Sequence, residues 1–439
     1  MTLSIKLRGA CYLLLHVVVC AIPVALAQRN ATRHGLPAAI IPVTNTNDSG
    51  SGSLRDALAS ANDGDTIDAT GVFGTILLTS AELIVDKDVT ISGSGATNLA
   101  VDGNAKSGVF VINPGKTVTI DSLTVENGYS DAEIGAGGIF NNDATLTVTN
   151  CTITRNSGHG ALYSGGGITN FLPKFNGVGT VTVNNSTISD NSPTGILSLT
   201  GRTGVATVTI ANSTISANGP GCGINMGGVG GGETLTVSNS TISGNFAPSG
   251  GSGAGIYTFG ANITVMNSTF SGNSALLSEG GVISKHGGEM TIGDTVLDAG
   301  ASGETIFNDG GTVTSLGYNL ASDNGGGVLT GPGDQINTNP MIGPLEDNGG
   351  PTLTHALLPD SPAINAGDPT FTPPPLYDQR GSRFDRVVNS RIDIGSLEVQ
   401  TESSPTPTPT PTPTDTPQVT PRPSSTPRPR PTPNPRPTS

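Results

Sequence analysis

Residues 148–156 of the chain read VTNCTITRN, and residues 183–191 read VNNSTISDN. The central Asn of this motif returns along the chain at steps of 35, 27, 27 and 28 residues. A second column, Gly followed by Ile or Val, keeps a similar period at Gly138, Gly167, Gly195, Gly223, Gly255 and Gly281. Two columns that share one period indicate a solenoid built from structural repeats.

Each repeat contains three short runs in which apolar and polar residues alternate, which is typical of β-strands. In the first copy the alternation points Val148, Cys151 and Ile153 inward and Thr152 and Thr154 outward. Three strands and three bends in about 28 residues are typical of one coil of a parallel β-helix. The sequence therefore predicts an all-β, parallel β-helix with three short strands per coil.

The Asn column marks a sharp bend in each coil. Asn tolerates the left-handed backbone conformation that such a bend requires, and its amide can bond to the equivalent residue one coil away. We therefore predict a structural Asn ladder. Its members are Asn150, Asn185, Asn212, Asn239 and Asn267. The next bend carries a second Asn column at Asn156, Asn191, Asn218, Asn245 and Asn273.

The predicted β-helix covers residues 43–300, and both of its ends need a cover because open sheet ends invite polymerisation. Residues 53–61 read SLRDALASA, which predicts a short amphipathic helix with Ser53 as N-cap. The period fades after about residue 300, so we predict that residues 301–400 form the C-terminal capping region. Residues 401–439 hold 14 of the 32 prolines, which predicts a disordered, extended Pro/Thr-rich tail.

The first 27 residues are typical of a secretory signal peptide, and residues 28–42 are interpreted as a linker. Lys6 and Arg8 precede an apolar stretch that ends in the small-residue sequence ALA at 25–27. No later segment approaches the length of a transmembrane helix. Cys11 and Cys20 leave with this leader. Cys151 and Cys222 lie more than two coils apart, which is beyond the reach of a disulfide.

Charge and aromatic content restrict the function. Residues 28–400 contain 14 basic and 32 acidic residues, a net charge of −18, which excludes nucleic acid as a partner. The chain has no Trp and only 4% aromatic residues. We therefore expect no platform of rings on which sugars could stack.

Two segments resemble known families of exported bacterial proteins. Residues 47–58, NDSGSGSLRDAL, followed by NDGDTI at 62–67, resemble the entry motif of the polymorphic-outer-membrane-protein or CSLREA-like right-handed β-helix group, with Gly52 at the usual Cys position. The C-terminal region is similar to the choice-of-anchor Q domain. The matching segments are GPL at 343–345, DNGGPT at 347–352, THALLP at 354–359, SPAINAGD at 361–368 and DQRG at 378–381. These resemblances imply a right-handed coil, export and surface display, and they imply no particular reaction.

No catalytic, cofactor or metal site is predicted. A pectin lyase of β-helix type needs clustered carboxylates for Ca²⁺ and a basic residue, and a hydrolase needs a carboxylate pair. His159 in SGHG at 157–160, and Lys285-His286, lie in Gly-rich bends without such partners. Asp190, Asp294 and Asp298 are scattered over bends without metal-ligand spacing.

Two further patterns have a structural and a functional interpretation. The basic group Arg380, Arg383, Arg386 and Arg391 is typical of an anion site, but Asp378, Asp385 and Asp393 are interleaved with it, which favours mutual ion pairing. An outward column of hydroxyl residues predicts either ordinary exposed strand positions or a flat face for ice or another lattice. Its members are Thr152, Thr187, Thr214, Thr241 and Thr269, accompanied by Thr154, Ser189, Ser216, Ser243 and Ser271.

The sequence therefore favours a secreted or surface-displayed β-helix with an adhesive, structural or binding role. Its expected partners are polysaccharides or cell-surface components, since repeat solenoids offer long regular faces for multivalent contact. A polysaccharide lyase or glycoside hydrolase of the pectin-degrading type remains the alternative, and a lattice-binding face is the third possibility. No cofactor is expected. The sequence leaves the oligomeric state open.

Overall fold

The computed structural model describes residues 38–400, except 160–162, 174–175, 202, 229–231, 248–252 and 276–279. The predicted signal peptide at 1–27, most of the predicted linker and the Pro/Thr-rich tail at 401–439 lie outside the described residues. Within the described part, the chain winds through three parallel sheets, and each coil adds one strand to each sheet in turn. It forms an all-β solenoid of about 10 turns.

The three sheets run along the length of the solenoid. The first sheet contains Ile40–Pro42, Thr66–Asp68, Val89–Ser92, Thr117–Asp121, Thr145–Thr149, Val178–Asn184, Val205–Ala211, Glu233–Ser238, Asn262–Met266, Glu289–Gly293 and Thr312–Gly317. The second sheet contains Gly74–Leu77, Leu99–Asp102, Thr124–Glu126, Thr152–Thr154, Thr187–Ser189, Thr214–Ser216, Thr241–Ser243, Thr269–Ala275, Val296–Ala299 and Leu320–Ala321, with Phe246–Ala247 paired at its side. The third sheet contains Leu83–Val85, Phe110–Ile112, Ile139–Asn142, Ile168–Leu172, Thr194–Thr200, Cys222–Gly228, Ile256–Phe259, Ile283–His286 and Ile306–Asp309.

Consecutive coils pair so that equivalent residues stack. Ile153 pairs with Val125 of the preceding coil and with Ile188 of the following one, and all three are fully buried. Fully burying one such branched side chain stabilises the fold by about 1.5–3 kcal/mol. The stacked apolar columns form one continuous core along the axis. The predicted architecture of three short strands per coil is thus confirmed.

A short helix, Leu54–Ser60, packs on the N-terminal end of the core. The Ser53 hydroxyl accepts a hydrogen bond from the Asp56 backbone N–H at 3.1 Å, which caps the helix. Leu54, Ala57 and Leu58 are buried against the first coil. The segment assigned to the linker ends in a strand, since Ile40–Pro42 pairs with Thr66–Asp68.

The solenoid continues past the predicted boundary at residue 300. Ile306–Asp309, Thr312–Gly317 and Leu320–Ala321 each extend one of the three sheets. The chain then turns through a 3₁₀ segment, Gly325–Gly327, and Leu329 packs against the end of the core. The C-terminal cover of the core is therefore a short stretch around residues 325–329, rather than the whole of 301–400.

Residues 341–399, named here the C-terminal flap, fold back along the outside of the second sheet. The flap contains the antiparallel pair Ile342–Glu346 and Thr354–Leu357 and little other regular structure. Thr214 donates a hydrogen bond to the Leu353 carbonyl at 2.6 Å, 139 residues away in sequence. The prediction that this region caps the end is corrected by these contacts, because the flap lies beside the coils.

The first Asn column adopts the predicted backbone conformation. Asn150, Asn185, Asn212, Asn239 and Asn267 have φ values of 51°, 48°, 50°, 49° and 48°. The amide contacts differ from the prediction, however. Asn239 donates to Asn212 Oδ1 at 2.7 Å, but Asn212 donates to Asn184 and Asn150 to Asp121, which precede the equivalent positions by one residue.

The continuous amide ladder runs through the second Asn column, inside the solenoid. Asn191 Nδ2 donates to Asn218 Oδ1, and Asn218 Nδ2 donates to Asn245 Oδ1, both at 3.0 Å. The same oxygens also accept the backbone N–H of the preceding member. Its members are Asn156, Asn191, Asn218, Asn245 and Asn273. This column is fully or almost fully buried, so its amides bond to one another and to main-chain carbonyls rather than to water.

Cys151 and Cys222 are free thiols buried in different coils. Cys151 takes a position that Ser occupies in the following coils: its backbone N–H donates to the Ser186 hydroxyl at 3.0 Å, and Ser186 donates its own N–H to Ser213. Burial raises the pKa of each thiol to about 12. Both thiols are therefore protonated, packed side chains.

Candidate functional site

His159 lies at an exposed bend, as its Gly-rich sequence suggested. Its Nε2 lies 2.8 Å from the Ser157 hydroxyl, and its ring lies 5.3 Å from the ring of Tyr129. Lys285 and His286, neighbours in sequence, point to opposite sides of the third sheet. Lys285 is buried in the interior and donates to the Gly310 carbonyl at 2.7 Å, so the two residues do not form one site.

The three Asp residues singled out from the sequence are not brought together. Asp190 is exposed at a bend. Asp294 is buried beneath the flap, where burial raises the pKa of its carboxyl to about 6 and the Asp368 backbone N–H donates to it at 2.7 Å. Asp298 accepts from Ser271 at 2.9 Å. Among the described residues, no group of three or more His, Cys, Asp or Glu side chains could hold a metal ion.

The Arg cluster of the flap is structural. Arg380 pairs with Asp378 at 2.6 Å and lies over the ring of Phe384 at 3.9 Å. Arg386 is fully buried and donates to the Gly395 carbonyl at 2.7 Å. The acidic groups that surround Arg386 are Asp294, Asp378, Asp393 and Glu398. Within the described residues, the predicted mutual ion pairing is found at Arg380 and Asp378 alone. Arg391 donates to the Gly367 and Ala366 carbonyls, and Arg386 Nε and Nη1 have no hydrogen-bond partner.

The hydroxyl column is largely covered by the flap. Thr214, Thr241 and Thr269 are buried, together with their Ser neighbours Ser216, Ser243 and Ser271. Thr241 donates to Gln379 of the flap, and Ser243 lies 2.9 Å from His355 Nε2. The alternative of a flat face for ice or another lattice is contradicted at Thr214, Thr241 and Thr269, because this part of the column is an internal interface.

The coils before Thr214 leave the second sheet open, and a polar groove crosses them. The groove contains two neighbouring cavities of about 280 and 350 Å³. Asp102, Asn127, Tyr129 and Arg155 contribute side chains to the larger one. Arg155 forms an ion pair with Glu126 and is about half exposed, with 56% of its side chain accessible. Asp102 accepts from Asn127 Nδ2 at 2.8 Å.

The third sheet carries a second open feature, a row of rings on its outer face. His286 lies 5.5 Å from Tyr257, 6.4 Å from Phe259 and 5.6 Å from Phe307, between ring centroids. Further along the same face, Phe140 and Phe171 stack at 6.2 Å. These rings come from five different coils. Strand register places Tyr257, Phe259, His286 and Phe307 in one group, and Phe140 and Phe171 form a separate pair, with two coils in between. The third sheet thus carries a group of rings despite the low aromatic content of the chain.

Comparison with family models agrees with the solenoid fold. The family model described as "Right handed beta helix region" matches residues 75–246 and 174–339, which together span more than half of the chain. The chain belongs to this right-handed β-helix family. A solved structure, the crystal structure of the pectate lyase Pel9A, is similar at 14% identity with a TM-score of 0.49, over 83% of this chain and 98% of that one. No curated protein matches the chain.

The two open faces of this right-handed β-helix differ in the chemical groups that they present. In the described part of the chain, no helix is both long and apolar enough to cross a bilayer. The groove offers amide, carboxylate, guanidinium and phenol groups at its surface, and the row offers ring faces. Such groups can bind hydroxyl-rich ligands by hydrogen bonds and by stacking.

Proposed function

We propose that the protein is an exported, surface-displayed β-helix that binds polysaccharide in the groove of the second sheet and does not cleave it. The observation that carries this proposal is the open groove over Asp102, Asn127, Tyr129 and Arg155. The same sheet is covered beyond Thr214, so the groove is the part of this face on which a ligand can lie.

The chemistry of the groove matches a sugar chain. Asp102 is bonded to Asn127, and Glu126 to Arg155, and each pair keeps further acceptor and donor positions that suit the hydroxyl groups of a pyranose. Tyr129 adds an amphipathic ring beside them.

Export and display are supported by sequence features. The ALA sequence at 25–27 is typical of a signal-peptide cleavage site. The segment NDSGSGSLRDAL at 47–58 resembles the entry motif of the CSLREA-like group, and SPAINAGD at 361–368 resembles part of the choice-of-anchor Q domain. Both families consist of exported proteins, and this favours a role at the bacterial surface.

Catalysis is the alternative, and the side chains of the groove argue against it. Asp102 is occupied by the Asn104 backbone N–H at 2.6 Å and by Asn127, and Glu126 by Arg155. A carboxylate held in this way has lost part of its capacity to take up a proton or to ligate Ca²⁺. We therefore assign the groove to binding.

The proposal is tested by affinity electrophoresis of the chain from Gln28 onward in gels that contain neutral or acidic polysaccharides. Arg155→Asn removes the guanidinium and keeps a residue that tolerates the local φ of 55°. We expect this variant and Tyr129→Ala to lose retardation, and Lys87→Asn, which removes a surface cation paired with Asp86, to keep it.

Two results would overturn the proposal. Retardation that is equal in Arg155→Asn, Tyr129→Ala and the native chain would place binding elsewhere. Release of unsaturated or reducing sugars from any of these polymers by the native chain would show that the protein is an enzyme.

A further inference from the structure

The outer face of the third sheet carries two stacked columns whose members the strand register defines. One column runs through Phe171, Leu199, Gly227, Phe259, His286 and Asp309. The other runs through Phe140, Thr169, Leu197, Asn225, Tyr257, Ser284 and Phe307. We infer that the aromatic row of these columns, Tyr257, Phe259, His286 and Phe307, is a second glycan-binding site, selective for neutral sugars. This inference rests on the proposed function for its ligand class, but it concerns a different face.

Polar contacts with residues of the same sheet hold His286 in place within the aromatic row. His286 Nδ1 lies 3.2 Å from Asp309 Oδ2, and its Nε2 lies 3.2 Å from the Ser284 hydroxyl. Both ring nitrogens of His286 thus have neighbours on the sheet, which fixes the imidazole plane among the three rings. A platform fixed in this way loses little side-chain entropy when a ligand binds.

The bend after the row leaves Phe259 exposed, whereas Tyr257, His286 and Phe307 are half-buried. Phe259, His286 and Asp309 are each followed by glycine, at Gly260, Gly287 and Gly310, and these have φ values of 83°, 76° and 91°. Glycine adopts such conformations at little cost and projects no side chain across the face. Phe259 is consequently 53% exposed, an unusual state for so large an apolar side chain.

The negative charge around the aromatic row favours a neutral sugar over an acidic one. Asp309 ends the row with a side chain that is 71% exposed, and the nearest basic side chain in register, Lys285, is buried on the other side of the sheet. A polyuronate would bring its carboxylates toward this Asp and toward a chain body of net charge −18. A neutral sugar has no such penalty, and its hydroxyl groups can donate to Asp309 while its C–H face covers a ring.

The row is also long enough for more than one sugar unit. Phe171 and Phe259 lie three coil steps apart in one column. At about 4.8 Å per step this is roughly 14 Å. Leu199 and Gly227 lie between these two rings, so the continuous row covers the two coil steps from Phe259 to Asp309, roughly 10 Å. Phe140 and Phe171 form a separate pair further along the same axis.

The test measures binding of hydroxyethyl cellulose, a neutral polymer, and of polygalacturonate, an acidic one, to the native chain and its variants. Phe259→Ala is expected to weaken binding of the neutral polymer by roughly fivefold, the value of one lost stacking contact. Phe259→Trp is expected to strengthen it. Phe73→Ala is the matched control, because Phe73 is 65% exposed but lies outside the row. Circular dichroism checks that each variant is folded.

The groove variant separates this inference from the proposed function. Loss of neutral-polymer binding in Phe259→Ala, but not in Phe73→Ala, supports the second site, whether or not Arg155→Asn also weakens binding. Loss in Arg155→Asn alone overturns the second site and leaves the groove proposal intact. Binding that Phe259→Ala and Phe259→Trp both leave unchanged, or preference of the row for polygalacturonate, also overturns it. If neither polymer binds the native chain, both proposals are wrong.

Discussion

Thr241 donates a hydrogen bond from its hydroxyl to Gln379 Oε1 at 2.6 Å, across 138 residues of chain. The Gln379 amide nitrogen donates in turn to Thr214 and Thr352. All of these side chains are buried. A single flap residue thus joins two consecutive coils by polar contacts, and a buried apolar cluster of Val296 and Leu320 with Ala363 and Ile394 of the flap forms a second attachment.

Thr241→Val is therefore expected to destabilise the protein. The valine keeps the shape of the side chain but leaves Gln379 Oε1 buried without its donor, which costs about 1–3 kcal/mol. Thr187→Val is the matched control, since Thr187 occupies the same column outside the flap and is only half-buried. Urea unfolding followed by circular dichroism measures both variants. Equal stability of the two would mean that the Thr241 contact contributes nothing.

The buried Asn ladder leads to a second prediction. Asn218→Ala removes the acceptor of both the Asn191 backbone N–H and the Asn191 amide, and leaves a cavity between coils. Two unsatisfied donors are expected to cost at least about 2 kcal/mol. Asn212→Gly, in the first Asn column, is expected to cost less, because glycine accepts the φ of 50° there.

The same urea titration compares these two Asn variants. A larger loss of stability in Asn212→Gly than in Asn218→Ala would place the important ladder in the first Asn column, as the sequence predicted.

Glu398 leads to a prediction about pH. Burial and the neighbouring Asp393 raise the pKa of its carboxyl from 4.5 to about 8. The unfolded chain loses this proton near pH 4.5, whereas the folded protein keeps it to about pH 8. The group therefore makes stability fall as the pH rises through that window, by up to about 1.4 kcal/mol per unit.

Thermal unfolding between pH 7 and 8 tests this. His355, whose pKa is lowered by burial, is neutral in both states over most of that range, so it contributes little. Glu398→Gln is expected to make the profile less steep and to raise the midpoint at pH 8, while Glu233, whose pKa burial raises to about 7, keeps its smaller contribution. Glu346→Gln, an exposed glutamate of the same flap, is expected to leave it unchanged. A Glu398→Gln profile that falls as steeply as that of the native chain would refute the assignment.

Much of the solenoid could be predicted from sequence because its information is local and repeated. The period places Ile153 beneath Ile188, and the alternation of side chains decides that both point inward. Ser53 and Asp56, three residues apart, form the capping contact that indicates the start of the helix. Each of these features depends on residues that are close in the chain or one period apart.

The remaining features depend on information that the period does not contain. Thr152 and Thr241 occupy the same position of the repeat, but Thr152 is half-buried and Thr241 is fully buried. The difference comes from the flap, which follows more than 100 residues later in the chain and covers Thr241. The two Asn columns have the same spacing, and the bend geometry alone decides which amides face the interior. The rings at Phe140 and Phe307 are 167 residues apart in sequence, so only the register of the third sheet reveals that they share a face.

The flap has a consequence for how the length of this protein can change. Its contacts at Thr214, Thr241 and Thr269 are set one coil apart, so inserting a coil between them would displace each later contact by about 4.8 Å. The number of repeats under the flap is therefore fixed by the flap itself. The coils between the N-terminal helix and Thr214 carry no such constraint, and duplication or loss of a repeat there would lengthen or shorten the groove while the fastened half stays intact.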